Sequence, residues 1–153
     1  MSVVALIRPD SWNFPLFLHV LGAMILVGGL LAGAATLGYA RGDARFLRLG
    51  YWTLLVVSLP GWVLMRIGAQ WISSKEGWDD VPEELEPRWL SIGGFVADVG
   101  GLVLLVSLIL GGVGVYRLRE GKGSGLLRAT LVLSLVLLAA YLVAAWAMAG
   151  KPD

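Results

Sequence analysis

The sequence predicts an all-α membrane protein, an up-down four-helix transmembrane bundle, on three observations. Of the 153 residues, 58% are apolar and only 15% are charged, and the mean hydropathy is +0.79, too oily for a soluble chain of this length. The apolar residues fall into four runs, each long enough to cross a hydrocarbon core of about 30 Å. Nearly all of the charges lie outside those runs, in the connections and the termini. The runs leave no room for a second folded unit, so residues 1–153 read as one domain with helices at about 14–40, 49–72, 90–115 and 126–149 and an acidic outer loop at 73–89.

Residues 14–40 read FPLFLHVLGAMILVGGLLAGAATLGYA, with His19 as the one ionisable side chain. No basic stretch precedes this run and no small-residue cleavage site follows it, so it is expected to be a retained helix and not a removed leader. The preceding tail, 1–13, carries Pro9 and Asp10 after a brief apolar stretch and Trp12 near the helix start. It is expected to lie on the membrane surface. Gly22, Gly29 and Gly33 recur on one side of the helix and allow a neighbouring backbone to come close, the main packing device where lipid supplies no hydrophobic drive. His19 lies one turn before Gly22, so it shares that seam and should face protein.

A short basic connection with Arg41, Asp43, Arg45 and Arg48 leads into the second run, which Pro60 and Gly61 interrupt. Proline removes one helix hydrogen bond and crowds the carbonyl of Val56, which predicts a kink near mid-membrane. Trp62, Arg66 and Gln70 follow at i, i+4 and i+8 on one face. The loop at 73–89 holds six acidic residues against Lys75 and Arg88. Its prolines preclude one continuous helix, although Pro82 can open a short turn. Trp71, Trp78 and Trp89 suit the interface. In the third run Gly93, Ala97 and Gly101 form a small-residue series, and Asp98 shares a face with Gly94 and Gly101. A basic turn around GKGSG then leads to the fourth run, rich in Leu, Val and Ala, with Tyr141 and Trp146 towards its end.

Counting Lys and Arg alone, the connections after the first and third helices hold seven, whereas the N-terminal tail, acidic loop and C-terminal tail together hold four. Both termini and the acidic loop are therefore expected outside, N-out and C-out. In that topology His19, Arg66 and Asp98 fall at similar depth in the outer half of the bilayer, with Trp62, Gln70, Tyr141 and Trp146 at compatible heights. Charge inside a membrane is costly, so these residues mark either a site or a structural pairing. Arg66 and Asp98 fit both an ion pair locking consecutive helices and a pocket. His19 fits both a bond to a neighbouring helix and a link in one network with them, its ring accepting from Arg66 or donating to Asp98.

Several chemistries find no support. The near-balance of 12 basic and 11 acidic residues supplies no basic stripe for nucleic acid. The absence of cysteine removes thiolate ligands, disulfides and a cysteine nucleophile. Asp98 is the one carboxylate inside a membrane run, which leaves no carboxylate pair there. Ser58, Ser91, Ser107 and Ser134 carry no positive signal for a nucleophile activated by His19. The glycine doublets sit inside apolar helices and are not phosphate loops. His19, Asp98 and Met24 or Met65 could form a metal site, without diagnostic spacing.

The run Leu18, His19, Val20, Leu21, Gly22, continuing to Gly28 and Gly29, resembles the first helix of small bacterial four-span membrane proteins related to the copper-resistance D membrane domain and to membrane-bound protoporphyrinogen oxidase. The likeness covers about residues 16–33. It implies the bacterial cytoplasmic membrane and haem b or copper handling through His19. As His19 is the only histidine, two imidazoles from one chain cannot ligate haem; a pair across a dimer, a methionine ligand or five-coordinate iron would be required.

The expected function is therefore that of a polytopic membrane protein in the lipid bilayer. A polar site of its outer leaflet, His19, Arg66 and Asp98 with Gln70 and Trp62, binds a small ligand, ion or proton, and no catalytic residue is assigned. The alternatives are a redox protein using His19 and a structural subunit that meets a second copy or a membrane partner through its glycine-rich faces.

Overall fold

A computed structural model describes residues 10–150; the expectations for residues 1–9 and 151–153 lie outside them. The described residues are all helical apart from turns, with no strand among them. Four helical stretches, Asp10–Tyr39, Ala44–Glu76, Arg88–Glu120 and Ser124–Gly150, are long and apolar enough to cross a membrane. The first contains helix α1 (Asn13–Tyr39). The second runs through α2 (Ala44–Thr53), a π-helical turn (Leu54–Ser58) and α3 (Leu59–Glu76). The third contains α4 (Arg88–Arg117) and the fourth is α5 (Ser124–Gly150).

The last three helical stretches outrun their expected bounds, whereas α1 keeps its length one residue earlier. α2 begins at Ala44 and takes in Arg45 and Arg48, because the Asp43 side chain accepts the Arg45 backbone N–H at 2.8 Å and caps the first turn. The reversal before it is tight: Arg41 at φ +44° and Gly42 at φ +96° turn the chain over. The disturbance expected at Pro60 takes the form of a wide turn ahead of the proline, in which the Leu59 N–H bonds the Leu54 carbonyl. One extra residue in that turn accommodates the missing donor without ending the helix. α3 stops at Gly77, whose φ of +77° suits a left-handed cap.

Pro82 opens a short turn as expected, with the Leu85 N–H bonded to the Pro82 carbonyl at 2.8 Å. Trp78 and Trp89 pack on each other. Their rings meet edge to face at 6.1 Å and draw the two ends of the acidic loop together.

α1 and the second stretch form an antiparallel pair in which a glycine occupies one side of nearly every layer. His19 lies against Gly68, Gly22 against Met65, Leu26 against Gly61, Gly29 against Ser58, Gly33 against Leu54 and Leu37 against Gly50. The spacing of three and four residues keeps these positions on one face of each helix, and each glycine lets the opposite backbone close in. α4 and α5 form a second antiparallel pair, with Gly93 against Met148, Gly100 against Tyr141 and Gly114 against Leu127. Gly93 therefore faces α5 as part of its small-residue series. Gly101 does not: it turns to Trp62 of α3.

The two pairs join through α1 and α5 and through α2 and α4, whereas α3 touches α4 at few points. Leu26, Leu30, Leu54, Leu104 and Leu127 fill the centre, fully buried. Tyr51 of α2 lies against Gly111 and Gly112 of α4 and closes one end. At the other end, where Phe14 of α1 meets Trp71 of α3 with rings 5.9 Å apart, α3 and α4 part.

Candidate functional site

The parting between α3 and α4 holds the charged residues. Arg66 sits in α3 and Asp98 in α4, and Arg66 Nη2 reaches Asp98 Oδ1 at 2.7 Å. One turn before Arg66, Trp62 crosses the same gap. Its indole N–H donates to the Ala97 carbonyl at 3.0 Å, and its ring lies over Gly101. Only glycine leaves room for that ring, because a β-carbon there would fall 2.5 Å from Trp62 Cε2. These two side chains bridge helices whose backbones stay apart. Between them is an open pocket of about 300 Å³ lined by Trp62, Arg66, Asp98, Gly101, Leu102 and Leu105.

The pair stands at the rim and not in the core. The side chains of Arg66 and Asp98 are 33% and 63% exposed, so one side of the carboxylate faces outward. Leu102 and Leu105, further along α4, are exposed on the same outer side. The pocket is thus polar at the end nearer the acidic loop and apolar toward the helix centre.

Tyr141 of α5 lies behind α4 and does not line the pocket. It is buried, and its hydroxyl lies against Gly100. Trp62 stands beside it, but the one N–H of that indole already bonds the Ala97 carbonyl. The Tyr141 hydroxyl therefore has no partner among the described residues, as is also true of the buried Ser58 and Ser107 hydroxyls. Thr130 and Ser134, also buried, are satisfied by carbonyls one turn back.

His19 belongs to a different surface. It faces the α1–α3 seam, as its position before Gly22 predicts, and its Nδ1 lies 3.0 Å from the Met65 carbonyl oxygen. A carbonyl only accepts, so Nδ1 carries the proton and donates. Met65 and Arg66 are neighbours in sequence, but one residue turns the helix by about 100°. That rotation sends Met65 to α1 and Arg66 to α4. The expected single network of His19, Arg66 and Asp98 therefore divides into an ion pair and a separate imidazole–carbonyl bond.

Other expected members are also displaced. Gln70 is exposed and does not line the pocket, and Trp146 is exposed on α5. Met24 is 68% exposed, whereas Met65 is buried, so the sulfur candidates for a metal site separate. Among the described residues no three His, Asp or Glu side chains gather to hold an ion. A flat haem does not fit between α1 and α3 at His19, because the Gly68 backbone is packed directly on that of His19. The glycine seams considered for a partner are occupied within the chain: Gly22, Gly29 and Gly33 are buried against the second stretch.

Sequence reasoning missed the roles of Gly101 as floor and Leu102 and Leu105 as wall. The one available signal was the face that Gly101 shares with Asp98. Comparison with protein-family models, curated proteins and solved structures finds no match for this chain.

Proposed function

We propose that the chain is an integral membrane protein that binds a small polar ligand, ion or proton between α3 and α4, through Arg66 and Asp98 with Trp62 holding the helices in register. The observation that carries this reading is an ion pair at 2.7 Å set at the rim of a pocket, with the carboxylate 63% exposed. An ion pair sealed in apolar packing pays for the desolvation of both charges. One left open in hydrocarbon is costly unless water, headgroups or a ligand meets it.

The distribution of Lys and Arg supports an N-out, C-out topology, and four antiparallel stretches return both termini to one side. The pocket then lies in the outer leaflet, with His19 at similar depth as a contact between α1 and α3. Kinship with the four-span group resembled by the first helix rests on the run from Leu18 to Gly22 and remains part of the proposal.

Native mass spectrometry of the full chain in mild detergent, with an absorbance spectrum of the same sample, tests the reading. Inorganic phosphate, ammonium, phosphoethanolamine and phospholipid serve as probes. At least one is expected to bind the wild type and to be lost in Arg66→Gln with Asp98→Asn. Identical binding of all probes by the two proteins would overturn it. A Soret band abolished by His19→Ala would favour haem instead.

A further inference from the structure

We infer that the ligand of the α3–α4 pocket is a zwitterionic membrane amphiphile, a phospholipid whose head carries a phosphodiester and a primary ammonium. The inference rests on the proposed site and names its occupant. Three observations converge on it, the first being charge. The pocket presents one cation and one anion already in contact, Arg66 Nη2 to Asp98 Oδ1. A simple anion drawn to Arg66 would be repelled by Asp98, and a simple cation drawn to Asp98 would be repelled by Arg66. A zwitterion can exchange with the internal pair at no cost in uncompensated charge, its phosphate on the guanidinium and its ammonium on the carboxylate. The planar guanidinium suits phosphate oxygens, and a primary ammonium offers the N–H donors that a carboxylate requires.

The second observation is the order of the walls. Arg66 and Asp98 form the polar end, and Gly101, Leu102 and Leu105 continue along α4 as an apolar strip faced by the Trp62 ring. From Asp98 to Leu105 is seven residues, about 10 Å of helix. Leu102 is 66% exposed and Leu105 41%, so the strip opens sideways to the surroundings of the bundle, where an acyl chain lies. A free amino acid or free phosphate would leave this half unused.

Depth is the third. α4 has 30 residues, about 45 Å of helix against a hydrocarbon core of about 30 Å. With the excess shared between the ends, Asp98, ten residues into α4, lies about 7 Å inside the core boundary. That is within reach of a headgroup and of a snorkelling arginine.

The test compares lipids that differ only at nitrogen. The full chain, purified in mild detergent, is titrated by native mass spectrometry with phosphatidylethanolamine, with phosphatidylcholine of identical acyl chains and with soluble phosphoethanolamine. Phosphatidylethanolamine is expected to bind about tenfold more tightly than phosphatidylcholine, whose quaternary nitrogen has no N–H to give Asp98. Asp98→Asn should abolish that preference, and Arg66→Gln should weaken both lipids. Equal affinity of the wild type for the two lipids would overturn the inference, and this comparison needs no variant to fold. Pair-dependent binding of phosphoethanolamine without lipid discrimination would overturn it while leaving the polar site standing. Binding of every probe unchanged by Arg66→Gln with Asp98→Asn would remove the site as well.

Discussion

Replacing Gly22 with alanine should separate α1 from α3, and the structure sets the size of the effect. A β-carbon at Gly22 would abut the Met65 backbone nitrogen and lie 2.7 Å from Met65 Cα and 2.8 Å from the Gly61 carbonyl oxygen. All three are backbone atoms of one rigid helix, so no rotamer change relieves the clash. Ordinary contact between carbons is about 3.5–4.0 Å, and the pair must open by roughly 1 Å along a seam that relies on closeness. Overpacking of this kind costs about 1–3 kcal/mol, while replacing a helical glycine with alanine returns at most about 1 kcal/mol. A net loss of about 1–2 kcal/mol is expected. Gly28 provides the control, because a β-carbon there meets nothing within 4 Å. Gly28→Ala should be neutral or stabilising by up to about 1 kcal/mol. Reversible unfolding in mixed micelles, with sodium dodecyl sulfate as denaturant, measures both. The two substitutions change hydropathy equally, so detergent affinity cancels in the comparison. Equal stability of the two variants would refute the close-packed seam.

Other perturbations probe the pocket and the topology. Arg66→Gln and Asp98→Asn should each destabilise, with a coupling energy of about 1 kcal/mol in a double-mutant cycle, kept small by the exposure of the pair; additive losses would mean that the contact contributes nothing. Trp62→Phe keeps most of the ring over Gly101 but removes the donor to the Ala97 carbonyl, and should cost about 1 kcal/mol by the same unfolding assay. Trp62→Ala should cost more, because it also uncovers Gly101. Since the native chain has no cysteine, single replacements report topology cleanly. An impermeant maleimide added to intact cells should label Ser74→Cys, in the last turn of α3 beside the acidic loop, and spare Glu120→Cys; the reverse pattern would invert the proposed orientation.

Much of the frame was legible in the residues. The hydrophobic runs are long, and backbone polarity leaves an apolar run of that length in lipid little choice but helix. The seam of α1 was legible too, because glycines spaced by whole turns mark the side where another backbone comes close, and His19 stands in line with them. The level shared by His19, Arg66 and Asp98 follows from counting residues along antiparallel helices. Helix starts were less legible: Asp43 caps α2 through a contact with Arg45, and nothing in the apolar pattern locates that contact.

The chain by itself determined how many long apolar helices there are, where they turn, and which side of α1 is crowded. Only the tertiary structure decided which neighbour each face of the other helices meets. A helix apolar all round carries no inside and outside in its sequence, so Gly93 and Gly101 look equivalent until one meets Met148 and the other Trp62. The same ambiguity separated Met65 from Arg66: adjacent in sequence, they diverge around the helix, and the packing of α1 on one side and α4 on the other gives His19 a carbonyl and Asp98 a guanidinium.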